Sequence, residues 1–201
     1  MAFVIINHGW TNLRPQGHWQ RNLAVELRKR GHQVFYPQYP NTAEPKFDEW
    51  SWLLARELEI LLETKGDSDA EVIVVGHSLG NVNFVKSAVE GLLPDGFVAD
   101  RYLAVAPPDP AMIDKLPDFS VDLNSETTRA ALNSAARSIT LVGSDADPWS
   151  PNGIQASVGD PLGLTAVIIP GAKHLALSDG WGQWQGVIDW IEDPGADLSK
   201  R

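Results

Sequence analysis

Residues 72–80 read Val-Ile-Val-Val-Gly-His-Ser-Leu-Gly. A β-branched apolar run ends in Gly-x-Ser-x-Gly, and a helix-compatible stretch follows at once. A chain that passes from a buried strand into a helix over so few residues must reverse sharply. The serine at the apex is forced into a strained backbone conformation with its hydroxyl standing clear. Side chains at Gly76 and Gly80 would collide across such a turn. The N–H of Leu79, at the start of the helix, then points at any oxyanion formed beside Ser78. Gly-x-Ser-x-Gly alone arises by chance often enough that it proves no chemistry. It needs a histidine and an acid in the right order.

Short apolar runs alternate with amphipathic stretches along the whole chain. Strands are expected at 3–6, 33–36, 71–75, 101–106, 139–142 and 166–169. Helices are expected at 19–30, where Leu23 and Leu27 share a face and Gly31 is a stop, and at 47–63. The second carries Phe47, Trp50, Leu54, Leu58 and Leu61 on one stripe. Further helices are expected at 78–91, 126–136 and 181–191. Six strands alternating with helices imply an α/β fold with a mainly parallel sheet and helices on both faces. Residues 1–193 form one domain on this reading, without a large cap. The segment 107–125, rich in Pro and Asp, reads as a loop or small lid, and 194–201 as a flexible polar tail.

Ligands of open parallel sheets sit beyond the carboxyl ends of the strands. The residues to examine are therefore those just after each strand: 7–10, Ser78, 106–109, 143–149 and 171–174. A serine hydroxyl needs a base to become a nucleophile. Of five histidines, His174 follows the last strand and reaches the same edge as Ser78. His32 reads as solvated, His77 as support for the serine turn, His8 as shaping its loop, and His18 as a helix cap or loop-packing residue. The acid should lie between Ser78 and His174, and Asp145 and Asp147 both follow a strand directly. Asp147 is preferred because Asp commonly stands four residues before a Pro here, in this case Pro151; Asp145 is the alternative. The acid fixes the imidazole tautomer and stabilises the imidazolium. The order Ser, Asp, His is that of the α/β-hydrolases. The second oxyanion donor is expected in the loop after the first strand, as the backbone N–H of Trp10. Trp10 and Trp149 are candidates for lining an acyl pocket.

Composition narrows the partners. The formal net charge is −10, which opposes nucleic acid and anionic membranes. Without cysteine there is no disulfide, thiolate nucleophile or thiolate-bound metal. The first residues lack a basic n-region, and no apolar run approaches the length of a membrane span. A cytoplasmic location is the expectation. There is no His-Glu-x-x-His and no Gly-rich phosphate loop, so neither a metal nor a cofactor is expected.

The chain resembles the small serine hydrolases of the YdeN and retinoblastoma-binding-protein type, a compact branch of the α/β-hydrolases. The matching pieces are Asn7-His8-Gly9-Trp10, His18-Trp19, Tyr39-Pro40-Asn41, Trp50, Gly76–Gly80, Asp145–Pro151, and Gly171–His174 with Ser178-Asp179-Gly180. They span nearly the whole chain. Ser150 departs from the family, where an aliphatic residue usually precedes the proline. The resemblance implies a sheet lacking the first two strands of the full hydrolase sheet, and a triad of Ser78, Asp147 and His174. The expected activity is hydrolysis of a small acyl ester, thioester or activated amide. Acyl transfer to another acceptor uses the same triad. Some members of the resembling family are named for a protein partner, so an interaction module is the alternative from a different class. A dehalogenase would need Asp where Ser78 stands.

Overall fold

The computed structural model describes residues 1–201. Six strands, β1 (Phe3–Asn7), β2 (Gln33–Phe35), β3 (Val72–His77), β4 (Arg101–Val105), β5 (Ile139–Gly143) and β6 (Ala166–Ile168), form one sheet in the order β2-β1-β3-β4-β5-β6. Every pairing is parallel. The strand order reverses beside β1, so the crevice that such sheets use opens past the ends of β1 and β3. Register sets this edge level: Asn7 lies opposite Gly76, and His77 opposite Val105. The chain therefore leaves β1, β3 and β4 at one height.

Alternation along the strands sorts the core into two halves. Phe3, Ile5, Val72, Val74, Tyr102 and Ala104 face one side. There they meet α2 (Phe47–Lys65), α3 (Leu79–Val89) and α4 (Glu126–Ala135). Val4, Ile6, Ile73, Val75, Leu103 and Val105 face the other. These pack against α1 (Trp19–Lys29) and α6 (Gln185–Glu192). Strands buried on both faces read as continuous Val/Ile runs for this reason. The α2 stripe does what its spacing predicts, since Phe47, Trp50, Leu54, Leu58 and Leu61 are all buried. Helix α1 is capped by His18, whose ring accepts the N–H of Gln20 at 3.2 Å, and the chain turns away at Gly31 with φ of 86°.

Three details depart from the sequence reading, and two more lie outside it. His32 is buried, not solvated: its Nδ1 accepts the Ala2 N–H at 3.1 Å and its Nε2 faces Glu192 at 3.1 Å. The last helix starts at Gln185, because Trp181 and Trp184 are held in the preceding loop by their indole N–H groups. Those groups donate to the carbonyls of Ala172 and Leu198 at 3.1 and 2.7 Å. Between β5 and β6 a π-helical turn (Gln155–Gly159) runs into the short helix α5 (Asp160–Leu162), where glycines and Pro161 mask any periodicity. Arg101, the first residue of β4, is buried and donates to the carbonyls of Trp190 and Ile191, both at 2.7 Å, at the end of α6. Finally, the tail is docked rather than loose. Leu198 is buried, and the Gly186 N–H donates to Lys200 O at 2.8 Å. A Cβ at Gly186 would stand 2.6 Å from Asp197 O, so the tail lies against bare backbone. The 107–125 segment forms two 3₁₀ turns, Pro110–Ile113 and Pro117–Phe119, with Phe119 against the rings of Phe47 and Trp50.

The docked tail gives a stability prediction. Leu198→Ala should lower unfolding free energy by about 2–3 kcal/mol, and removal of residues 194–201 by at least as much, both measured by urea titration. A loose tail would leave the midpoint unmoved in both.

Candidate active site

Ser78 sits between β3 and α3 with φ of 53° and ψ of −127°. A non-glycine residue in that region stores about 1–3 kcal/mol of strain. Close approach imposes it. A Cβ at Gly80 would lie 2.5 Å from Asn7 O and 2.7 Å from His8 O, and one at Gly76 would overlap the Asn81 side chain. The turn is held by hydrogen bonds that no sequence motif announces. Ser78 N–H donates to Val105 O at 3.0 Å, and the Asn81 amide donates to the same carbonyl at 2.8 Å. Tyr102 OH donates to Asn81 Oδ1 at 2.8 Å. Gly9, in the loop after β1, is constrained in the same way, since a Cβ there would be 2.8 Å from Ser78 Cβ.

His174 and Asp147 arrive from two other strand ends. His174 Nε2 stands 2.9 Å from Ser78 Oγ. Its Nδ1 is 3.0 and 2.9 Å from the two carboxylate oxygens of Asp147. A carboxylate only accepts, so Nδ1 carries the proton and Nε2 is left to accept from the serine hydroxyl. Asp147 is buried, and its Oδ1 also accepts the Trp149 N–H at 2.9 Å. Asp145 takes no part in this chain. It accepts the Gly171 N–H at 2.7 Å and so ties the loop of Asp147 to the loop of His174. Ser150, where an aliphatic residue was expected, donates to Pro107 O at 3.4 Å.

Trp10 N–H has no carbonyl partner, and Leu79 N–H, first in α3, has none within the helix. Both residues line an open cleft of about 390 Å³ with Ser78 and His174 at its base. Trp10 and Trp149 wall it, their rings meeting edge-on at 6.0 Å. Trp149 also lies 6.0 Å from the His174 ring.

Three further histidines surround the site, and burial holds all three neutral. Desolvation lowers His8 and His18 to about 4 each. His8 Nε2 accepts the Tyr39 N–H at 2.9 Å, which fixes its proton on Nδ1, facing Gly9 O. Desolvation, and then the neighbouring His174, push His77 well below the usual histidine range. His77 does more than support the serine turn, because its Nε2–H donates to His174 O at 2.9 Å. No helix is long and apolar enough to cross a membrane.

A Ser–His–Asp hydrogen-bond chain at the carboxyl edge of a parallel sheet is the arrangement of an α/β-hydrolase. The chain belongs to the serine hydrolase family, whose profile matches residues 4–193. No curated protein matches it in sequence. Among solved structures it is similar to the ydeN gene product of Bacillus subtilis, with 17% identity, 96% of this chain and 97% of that one covered, and a TM-score of 0.70. A YdeN-like hydrolase of Pectobacterium atrosepticum gives 19%, 95%, 89% and 0.68 in the same order. Est1E of Butyrivibrio proteoclasticus, solved with ferulic acid bound, gives 15%, 96%, 90% and 0.60.

The buried histidines make stability depend on pH. Unfolded, His8 and His18 take up protons below about 6.5; folded, only below about 4. Between those values the unfolded state binds more protons, so stability is full above the upper value and is lost as pH falls through the window. Each histidine contributes a slope of at most about 1.4 kcal/mol per pH unit. His18→Asn keeps a capping acceptor and should flatten the loss in a series of chemical melts from pH 7 to pH 4. An unchanged slope would mean that His18 titrates alike in both states.

Proposed function

We propose that the protein hydrolyses small carboxylic esters, or thioesters and activated amides of similar size, through an acyl-enzyme on Ser78. The observation that carries this reading is the unbroken chain from Ser78 Oγ through His174 to the buried Asp147 carboxylate. Est1E, a fold neighbour bound to ferulic acid, is compatible with an ester substrate.

In this mechanism Ser78 Oγ attacks the carbonyl carbon while its proton passes to His174 Nε2. The new oxyanion accepts hydrogen bonds from the N–H groups of Leu79 and Trp10. Asp147 holds the imidazole in its tautomer and stabilises the imidazolium. The intermediate collapses, the carbonyl–leaving-group bond breaks, and His174 hands its proton to the departing oxygen, sulfur or nitrogen. Water then attacks the acyl-enzyme, giving its proton to His174. The acid leaves, and Ser78 regains a proton. Trp10 and Trp149 present aromatic faces to the substrate in the cleft. Nothing in this scheme calls for a metal or cofactor.

The test is hydrolysis of p-nitrophenyl esters together with labelling by a fluorophosphonate probe. Ser78→Ala should abolish labelling and lower kcat at least about a thousandfold, and Asp147→Asn should lower it about ten-thousandfold through the wrong tautomer. Asp145→Asn should stay within about fivefold of wild type, since an exposed loop contact is worth little to the transition state. Full activity in Ser78→Ala, or equal losses at the two aspartates, would overturn the assignment.

A further inference from the structure

Beside the cleft lies a second hollow of about 30 Å³. Its walls include Val82 and Val85 of α3, Leu132 of α4, Leu141 of β5, and Val158. Asn81 and Tyr102 are polar but already satisfied, Tyr102 OH donating to Asn81 Oδ1 at 2.8 Å and Asn81 to Val105 O at 2.8 Å. Space lined in this way offers water no partner, whereas hydrocarbon entering it gains dispersion contacts.

Two residues, Pro108 and Ile113, line both the cleft and the hollow. They form a thin partition between Ser78 and the apolar space. Ile113 ends the first 3₁₀ turn, whose hydrogen bonds are local: Met112 N–H to Asp109 O at 2.8 Å, and Leu116 N–H to Ile113 O at 2.9 Å. The segment is anchored at its ends. Asp109 accepts from Ser157 Oγ at 2.8 Å, and Phe119 packs on Phe47 and Trp50. Between those anchors, only side-chain packing and the turn's own local hydrogen bonds keep Ile113 in place.

We infer that this hollow is the acyl subsite, and that it takes a short unbranched aliphatic tail. The inference rests on the acyl-hydrolase reading. Its direction follows from the base. The leaving group must depart beside His174 Nε2, and the cleft wall contains His174, Ala176 and Leu177. No residue of that loop lines the hollow. The substituent on the far side of the carbonyl, the acyl tail, therefore faces Pro108 and Ile113. A water needs about 10–15 Å³ by this measure, so the hollow suits roughly two or three carbons beyond the α-carbon.

The experiment compares kcat/KM for p-nitrophenyl acetate, butanoate and octanoate. Wild type should favour butanoate over acetate by about tenfold, the effect of filling an apolar pocket, and should fall off at octanoate. Val85→Phe fills the hollow and should lower the butanoate-to-acetate ratio about tenfold. Ile113→Ala thins the partition and should raise the octanoate-to-butanoate ratio. Should Val85→Phe fail to fold, Ile113→Ala carries the test by itself. Hydrolysis with the same ratios in wild type and variants overturns the subsite and leaves the hydrolase reading standing. Absence of both hydrolysis and fluorophosphonate labelling overturns the two together.

Discussion

The arrangement at the active edge depends on one close approach of backbone to backbone. The start of α3 lies under the exit loop of β1, near enough that a methyl group on Gly80 would stand 2.5 Å from Asn7 O. The same contact continues at Gly9, against Ser78. Without side chains at these points, the peptide after Ser78 and the peptide of Trp10 reach the rim of one cleft. The strain at Ser78 is the cost of this approach, offset by the hydrogen bonds that Asn81 and Val105 make across the turn. A larger residue at either glycine would part the two stretches and separate the N–H groups from the serine.

Electrostatics at this edge follow from burial. Four histidines cluster around Ser78, and such a cluster would be self-repelling if charged. His8, His18 and His77 are kept neutral by desolvation. Their ring atoms are committed to backbone groups: Tyr39 N–H for His8, Gln20 N–H for His18, and His174 O for His77. Only His174 is set against a carboxylate. Of the four rings, His174 alone is thus placed to share a proton with a carboxylate, that of Asp147.

Much of this edge was legible in the sequence because chain order and strand ends constrain it. Val72–Val75 announces a buried strand, and Gly76–Gly80 the turn after it. Once six strands alternate with helices, the loops at 143–149 and 171–174 must open on the same side. Spacing to Pro151 favours Asp147 over Asp145, and Asp147 is the carboxylate that stands against His174, while Asp145 faces Gly171. What could not be read was whatever depends on contact between distant segments. The burial of His32 needs Ala2 and Glu192, and the docking of Leu198 needs the bare backbone at Gly186. Neither partner is indicated by local periodicity. A polar tail with a single leucine looks loose until the surface that receives it is known.

The tryptophans show how such distant contacts bear on the chemistry. The loop carrying His174 has positive φ at Gly171, Lys173 and Leu175, a backbone path that no regular element stabilises. Three side-chain donors from elsewhere hold its carbonyls: Trp181 on Ala172 O, His77 on His174 O and Trp19 on Leu175 O, at 3.1, 2.9 and 2.8 Å. Trp184 packs between the other two indoles, 5.1 Å from Trp19 and 4.7 Å from Trp181, and its own N–H is taken by Leu198 O in the tail. The tail, three indoles and the residue preceding the serine therefore form one connected support. Its final contact is with the backbone of His174, so the position of that ring relative to Ser78 is set by residues outside the Ser78–His174–Asp147 hydrogen-bond chain.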